Sequence, residues 1–424
     1  MTESTAAAGS VATTCCIAGG GPAGMMLGYL LARAGVDATV LEKHGDFLRD
    51  FRGDTVHPAT MELMWELGLL DEFLKRPHHE EPRIGAQIGP TVFGFADFSH
   101  LPTHCKFIAL MPQWHFLDFL AEQGRKLPSF HLMMQADATG LIAENGRIVG
   151  VHAMTPDGPV DLRAALVVGA DGRHSTVRGA AGLAVEDLGA PMDVLWFRVS
   201  REDTDPPQTL GRVDRGHMMI MLDRGDYWQC AFVIPKGDID AVRARGLDAF
   251  RAEVAAVAPP LADRTGEIAS WDDVKLLTVA VDRLTQWWKP GLLCIGDAAH
   301  AMSPIGGVGI NLAIQDAVAA ANILAAPLKA GTVTDADLAA VQRRRMLPMR
   351  LTQAAQLFVQ NNVINRVLAS RKPIKPPLVL RLIDRVPWLQ RIPARLVGIG
   401  IRPEHVRQPA APVAPSAAAV TAGA

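Results

Sequence analysis

The sequence lacks several features that would indicate other classes of protein. Its 424 residues contain only five cysteines, an odd number at scattered positions, which argues against a disulfide framework or a zinc site. Acidic and basic residues nearly balance at a net charge of −2, so the chain as a whole has no electrostatic footprint for nucleic acid or an anionic membrane. No segment reaches the roughly 20 uninterrupted apolar residues of a membrane span. We therefore expect a cytoplasmic protein without a metal site, a nucleic-acid partner or stable membrane insertion.

A glycine-rich motif follows the first apolar run of the chain. Gly19, Gly21 and Gly24 have the G-x-G-x-x-G spacing, and the apolar segments on either side predict a strand, a tight turn and a helix. The first glycine permits the turn, the second lets the backbone approach a pyrophosphate, and the third lets the helix pack on the strand. Pro22 and Ala23 then form the first turn of the helix, whose N-terminus attracts anions. The motif predicts a dinucleotide site.

Acidic residues stand at the ends of three further apolar strands. Glu42 follows the glycines by about 20 residues, where an acid that accepts from the ribose hydroxyls is expected. Asp171 and the pair Gly296-Asp297 end two later apolar runs. In open α/β sheets, ligands bind at the carboxyl ends of the strands. The first two features fit FAD and NAD equally, and the two later motifs favour FAD.

These motifs together resemble those of the flavin-dependent aromatic hydroxylases, the single-component (group A) monooxygenases of the p-hydroxybenzoate hydroxylase type. The resemblance covers roughly residues 13–365 in motif order. It implies an α/β fold in which a Rossmann-like FAD-binding domain carries an inserted, mainly antiparallel β-sheet domain for the substrate. It also implies non-covalent FAD, NADH or NADPH as co-substrate, and hydroxylation of an aromatic or polyketide-like small molecule by O2 through a flavin C4a-hydroperoxide.

The resemblance also implies roles for individual residues. Asp297 would hold the ribityl chain of the flavin, and the segment from Pro304 would turn into a helix at its pyrimidine end. The remaining cofactor-binding residues implied are Lys43, Arg52, Thr55, Gln113, Gly307, Gly309, Ile310 and Asn311. Ordinary structural roles stay open for four candidates: an exposed loop arginine for Arg52, a helix-start residue for Gln113, a solvated lysine for Lys43 and a turn residue for Asp171.

Strand and turn patterns divide the chain into segments. We expect an FAD-binding domain formed by residues 13–80, 108–186 and 281–365, and a sheet domain formed by residues 81–107 and 187–280. A helical segment over 366–407 and disordered tails over 1–12 and 408–424 complete the prediction. The apolar stretch 378–401 either packs on the core, which we expect, or touches lipid. We expect a monomer or a homodimer.

No protein nucleophile is required when the cofactor carries the chemistry, so the catalytic residues stay unassigned apart from one candidate, His57. Only Tyr29 and Tyr227 exist, and the family's tyrosine relay is hard to build from them, which argues against p-hydroxybenzoate itself as substrate. Two alternatives remain open. One is an FAD-dependent reductase of an isoprenoid-type substrate, and the other is a flavin-binding sensor without catalysis.

Overall fold

The computed structural model describes residues 9–48, 55–205, 210–370 and 372–407. The strands are β1 (Gly9–Ala18), β2 (Ala38–Glu42), β3 (Thr55–Val56), β4 (His79–Glu81), β5 (Arg83–Ile88), β6 (Thr91–Asp97), β7 (Ile108–Leu110), β8 (Phe130–Met134), β9 (Asp137–Glu144), β10 (Arg147–Thr155), β11 (Gly158–Gly169), β12 (Val185–Asp187), β13 (Met192–Ser200), β14 (Leu210–Asp214), β15 (His217–Asp223), β16 (Tyr227–Pro235), β17 (Lys275–Leu277), β18 (Asp282–Leu284), β19 (Trp288–Lys289) and β20 (Leu292–Cys294). The helices are α1 (Pro22–Arg33), α2 (Pro58–Glu66), α3 (Leu70–Phe73), α4 (Gln113–Arg125), α5 (Thr176–Ala180), α6 (Ile239–Ala244), α7 (Leu247–Val257), α8 (Gly309–Ala330), α9 (Asp335–Val359), α10 (Asn365–Leu368), α11 (Leu378–Arg385) and α12 (Arg391–Gly398).

A mostly parallel sheet has the strand order β19-β20-β11-β1-β2-β8, and the β9–β10 hairpin continues from β11. The last four residues of its central strands β1 and β11 are buried, as is all of β2, as expected where helices cover both faces of a parallel sheet. β1 pairs with β11 from Gly9 opposite Val160 to Ala18 opposite Gly169. The predicted tail over residues 1–12 is therefore wrong for residues 9–12, because the long strand β11 gives them ladder partners.

A second sheet has the order β17-β13-β16-β15-β14-β5-β6 and is antiparallel except between β14 and β5. Its side chains alternate between two faces, as strand geometry requires. One face packs under α6 and α7, where Phe197 and Phe232 meet Phe250 edge to face. The opposite face carries Met192, Met218 and other apolar residues.

The long helix α8 packs against α1 and lies in the main core. Within the described residues, the stretch Ile305–Ala330 that ends with α8 is the one helix with the length and apolar composition of a membrane span. Of its most apolar window, 78% is buried inside the protein. The helix α9 follows after a capping box in which Thr334 and Asp337 satisfy each other's backbone N–H groups.

The C-terminal helices α11 and α12 lie on β6, joined by a 3-10 turn over Pro387–Gln390. The prediction of core packing for residues 378–401 is correct only for the inner side of this segment, where Ala394 and Ile399 join a small core with Phe98. The apolar residues on the outer side are exposed. Helix periodicity alone places half of such a segment outward, and no further layer from the described residues covers it.

Candidate active site

The glycine turn between β1 and α1 is held by backbone contacts that leave no room for side chains. Gly19 has φ +109°, and a Cβ there would overlap the carbonyl oxygen of Ala170 at the end of β11. A Cβ on Gly24 would overlap the carbonyl oxygen of Gly19 and press on the Ile17 side chain. These contacts bring the glycine motif and the Asp171 loop to the same edge of the parallel sheet.

The middle glycine of the motif is different because it borders open space. Gly21 is the N-cap of α1, and a Cβ added to it would meet nothing within 4 Å. Among the described residues, no side chain caps this helix start. The first N–H groups of a helix have no intrahelical partner, so they are available to an anion in that space. The residues that follow, Pro22 and Ala23, belong to the first turn of α1.

Glu42 lies at the carboxyl end of β2, next to the glycine turn. It is buried, and its Oε2 lies 2.9 Å from the point where a Cβ on Gly20 would stand. Its Oε1 accepts from the backbone N–H of His44 at 3.0 Å and is 2.6 Å from His44 Nδ1. Sequence reasoning missed His44, although its spacing of two residues from the acid allows such a local contact. The intervening Lys43 is exposed.

Asp171 uses both carboxylate oxygens within its own loop. The Ser175 hydroxyl donates to Oδ1 at 2.5 Å, and the Val177 N–H donates to Oδ2 at 3.1 Å. Ser175 in turn caps α5 by accepting from the N–H of Arg178. The acid therefore orders the turn into α5, which is the structural role that the sequence left open for it.

The third motif reaches the first turn of α1. Gly296 has φ +57°, and a Cβ on it would lie 3.1 Å from Ala23 Cβ and 3.2 Å from Ala313 Cβ. The next residue, Asp297, keeps 36% of its side chain exposed, and Arg173 Nη2 lies 3.9 Å from its Oδ2. A partly exposed carboxyl group thus stands at the sheet edge beside the glycine turn.

A buried ionic network that the sequence reading did not predict supports this motif. Asp316 on α8 accepts from the Gly296 N–H at 3.2 Å and from Arg345 Nε at 2.9 Å, and its Oδ2 is 2.6 Å from His300 Nε2. Burial acts to raise the pKa of Asp316, but His300 and Arg345 outweigh it and hold that pKa below its usual value. Asp316 is the one acidic residue in the apolar sequence of α8, and this was the sequence signal that could have indicated a buried charge.

The turn Ile305–Gly307 leads from Pro304 into α8. Gly306 and Gly307 both have positive φ, +76° and +63°, a conformation that L-residues with side chains rarely adopt. The Thr55 hydroxyl donates to the Gly307 carbonyl at 3.1 Å. This hydrogen bond fixes the strand β3 against the turn, so the predicted residues Thr55 and Gly307 are in direct contact.

His57 is fully buried between the same turn and the C-terminal helix. Its Nε2 lies 3.1 Å from the Gly307 carbonyl oxygen, and its Nδ1 lies 2.9 Å from that of Val397. Burial lowers the pKa of His57 to about 4, although the two carbonyl oxygens act in the opposite direction. A neutral imidazole donates one hydrogen bond only. His57 therefore joins structural elements and does not face open space as a catalytic base would.

The remaining candidates occupy helix starts or lie elsewhere. Gly309 and Ile310 begin α8, and Asn311 is buried there, accepting from the Thr60 hydroxyl at 2.9 Å. Gln113 is the first residue of α4. Arg52 lies outside the described residues.

The space beside Gly21 fits the pyrophosphate of a dinucleotide, because glycine backbone and a helix start border it while neighbouring positions admit no side chain. Glu42 lies near this space at Gly20, and Asp297 lies near it next to Gly296. Together with the parallel sheet, these features define a protein of the dinucleotide-binding class.

Comparison with known proteins gives the family. A family described as an FAD binding domain matches residues 12–355. The chain is 32% identical over 373 residues to 6-methylpretetramide 4-monooxygenase of Streptomyces rimosus, which covers 87% of this chain and 89% of that protein. It is 29% identical to the 12-dehydrotetracycline 5-monooxygenase/anhydrotetracycline 6-monooxygenase of the same species over 71% of this chain, but only 60% of that longer protein.

A solved structure shows the same fold. The crystal structure of a probable FAD-dependent monooxygenase from Pseudomonas aeruginosa aligns with a TM-score of 0.72 at 23% identity, covering 84% of this chain and 97% of that one. The chain belongs to the FAD-binding family of group A flavin monooxygenases. It is an FAD-dependent monooxygenase, and the resemblance predicted from the motifs is confirmed.

Proposed function

We propose that this enzyme hydroxylates a polycyclic aromatic, polyketide-like molecule with NAD(P)H and O2. The main support is its similarity, over almost the full length of both chains, to a relative named as a pretetramide monooxygenase. A cytoplasmic location and a monomeric or homodimeric state belong to the same proposal.

We propose cofactor positions from the motifs, and the contacts described above support them. The pyrophosphate of FAD would lie at the start of α1 beside Gly21, with Glu42 accepting from the adenosine ribose and Asp297 from the ribityl hydroxyls. The start of α8 at Gly309 has no side-chain cap within the described part of the chain, so its N–H groups and dipole would face the negative charge of the reduced flavin. When bound, FAD supplies the hydride acceptor and the activation of O2. The protein binds and orients the reactants and excludes water.

The second sheet fits the role of an inserted substrate domain. Its face opposite α7 carries Met192, Met218 and Ile220. Ile364 and Leu368 pack on part of this apolar group, and Ile305 from the turn before α8 packs against it as well. Met218 and Ile220 are only partly buried, unlike Met219 and Met221, which point into the core beneath α7. An apolar surface thus meets the turn that the resemblance assigns to the flavin, as a pocket for a ring system requires.

Trp196 supplies a polar group on the same face. Its indole Nε1 is buried and has no hydrogen-bond acceptor among the described residues, although buried polar groups are nearly always paired. The side chain packs with Ile220 and Ala231. We propose that Trp196 donates to a carbonyl or hydroxyl oxygen of the substrate, a group in which polyketide-derived rings are rich.

The test combines product analysis with one substitution. Purified enzyme is screened for NAD(P)H oxidation with polycyclic phenols and tetracyclic polyketides, and the active compound is then turned over under labelled O2. One labelled oxygen atom in the product is expected. Trp196→Phe should raise KM about 2- to 13-fold, the loss of one neutral hydrogen bond, while kcat changes little. Trp271→Phe, on the opposite face of the sheet, is the matched control and should leave KM unchanged.

The two alternatives give different results in the same experiment. A reductase of an isoprenoid-type substrate would consume NAD(P)H without O2 and place no labelled oxygen in its product. A flavin-binding sensor would show no ligand that accelerates NAD(P)H oxidation. Either result removes the hydroxylation proposal.

A further inference from the structure

The outer side of the C-terminal segment is an exposed apolar surface, which we name the C-terminal patch. Its exposed side chains range from Val386 at 38% to Leu378 at 79% exposure, with Trp388 at 62%. The members of the patch are Leu378, Val379, Leu382, Val386, Trp388, Ile392 and Leu396. The elements that carry them adjoin one another, and exposed apolar side chains grouped on a protein surface mark an interaction site.

The helices that carry the patch are packed on the rest of the fold. Both helices pack on β6, and Asp384 Oδ1 accepts from the Gly94 N–H of that strand at 2.9 Å. Gln390, in the turn between the helices, also lies against Gly94. On its inner side α12 buries Ala394, and its C-cap Ile399 is buried as well. The apolar side chains are therefore presented outward on a fixed support.

Positive charge surrounds the patch. Arg381, Arg385, Arg391 and Arg395 are all exposed. Residues 372–402 contain seven basic residues and one acid, and that acid, Asp384, is engaged by the backbone of β6. The net charge of −2 for the whole chain hides this local excess of positive charge.

We propose that the C-terminal patch docks on the surface of an anionic lipid bilayer. Amphipathic helices with a basic polar side and large apolar residues on the other lie in the plane of such an interface. Trp388 suits the headgroup region, where amphipathic rings concentrate. The arginines can direct their charged ends to lipid headgroups while their alkyl chains follow the apolar side chains inward. Docking is reversible and peripheral, since the segment is too short and too charged to span.

A second copy of the same chain is a poorer occupant for this surface. In a two-fold symmetric contact the patch would face itself, and the four arginines of one copy would approach those of the other. The patch offers no free acid to compensate them, because Asp384 is turned toward Gly94. An anionic lipid surface satisfies the apolar residues and the arginines at the same time.

The experiment measures binding of the full-length, FAD-loaded protein to vesicles. Sedimentation with phosphatidylcholine vesicles is compared with vesicles containing 30 mol% phosphatidylglycerol, at low and high salt. Binding is expected to the anionic vesicles only and to fall with rising salt. Each of Arg385→Gln and Arg391→Gln should weaken it about fivefold, the contribution of one basic residue near an anionic surface. Trp388→Ser should weaken it as well.

Control variants separate patch effects from general ones. Arg125→Gln and Met154→Gln remove an exposed cation and an exposed apolar side chain far from the patch in sequence, on α4 and β10, and should bind vesicles like the wild type. Bound flavin and circular dichroism verify that each variant is folded. The proposal is overturned if the protein ignores anionic vesicles, if the controls lose binding equally, or if Trp388→Ser instead abolishes a dimer. Capture of an acidic protein without any vesicle binding also overturns it.

Discussion

Two glycines three residues apart in the α1 turn should respond in opposite ways to the same added methyl group. Gly21 has φ −74° and open space around its missing Cβ, so the apoprotein should accept Gly21→Ala. Gly24 has the Gly19 carbonyl oxygen in the place of its Cβ, so Gly24→Ala must displace the backbone of the turn. The first change should affect the cofactor, and the second should affect the fold.

The structure also indicates the size of each effect. An alanine in a compatible conformation stabilises a chain by about 0.4–1 kcal/mol through the unfolded state, so Gly21→Ala apoprotein should be at least as stable as the wild type. In the holoenzyme its methyl group would occupy space that the pyrophosphate needs. Overpacking costs about 1–3 kcal/mol, which corresponds to FAD binding roughly 5- to 150-fold weaker. For Gly24→Ala, the same overpacking cost of about 1–3 kcal/mol falls on the apoprotein itself.

Two measurements on the same samples decide the matter. Urea unfolding of apoprotein, followed by tryptophan fluorescence, gives the midpoint of each variant, and flavin titration of apoprotein gives the Kd for FAD. If Gly21→Ala lowers the unfolding midpoint, then the space beside Gly21 is not open in the apoprotein. If its Kd for FAD equals that of the wild type, then that space is not the pyrophosphate site. A Gly24→Ala apoprotein as stable as the wild type would show that the backbone of the turn can shift to admit a Cβ at little cost in free energy.

Three further predictions concern titratable side chains. Asp297→Ala should weaken FAD binding by about 1.5–3 kcal/mol, the value of a hydrogen bond to a charged group. The urea midpoint of the apoprotein should not change, because the side chain is partly exposed. Unchanged FAD affinity would contradict the assignment of Asp297 to the ribityl chain. Asp316→Asn should lower the free energy of unfolding by about 3–5 kcal/mol, because it leaves the buried charge of Arg345 without its nearest carboxylate. A urea midpoint within error of the wild type would contradict this prediction. His57 has a folded pKa of about 4 against an ordinary value of 6.5, so the unfolded chain binds the extra proton first and stability should fall by about 3 kcal/mol as the pH drops from 6.5 to 4. His57→Gln should remove that part of the pH dependence of unfolding, and an unaltered pH profile would show that His57 does not cause it.

The parts of the site that depend on local sequence were predictable. The glycine spacing and the acid that ends β2 follow from strand–turn–helix geometry within about 25 residues. Gly296 and Asp297 were found in the same way, since each apolar strand brings the residue after it to the sheet edge. The resemblance to a known family then supplied the cofactor.

Contacts between distant segments were not predictable by these means. Asp316 and Arg345 meet because α8 and α9 pack together, and His57 touches Val397 across 340 residues. Neither pairing has a periodicity or a motif that a single sequence reveals. The same holds for the C-terminal patch, because hydrophobic periodicity marks an apolar face without indicating whether another element covers it.

The helix α12 separates the turn that precedes α8 from solvent. Leu396 is exposed, while its neighbour Val397 offers its carbonyl to His57 and its side chain to Gly306. An α-helix is about 10 Å across. A protein engineer who replaces the apolar residues of α12 with polar ones to improve solubility is therefore working one residue away from the turn that we propose lies at the flavin. Each such variant needs its flavin spectrum checked as well as its yield.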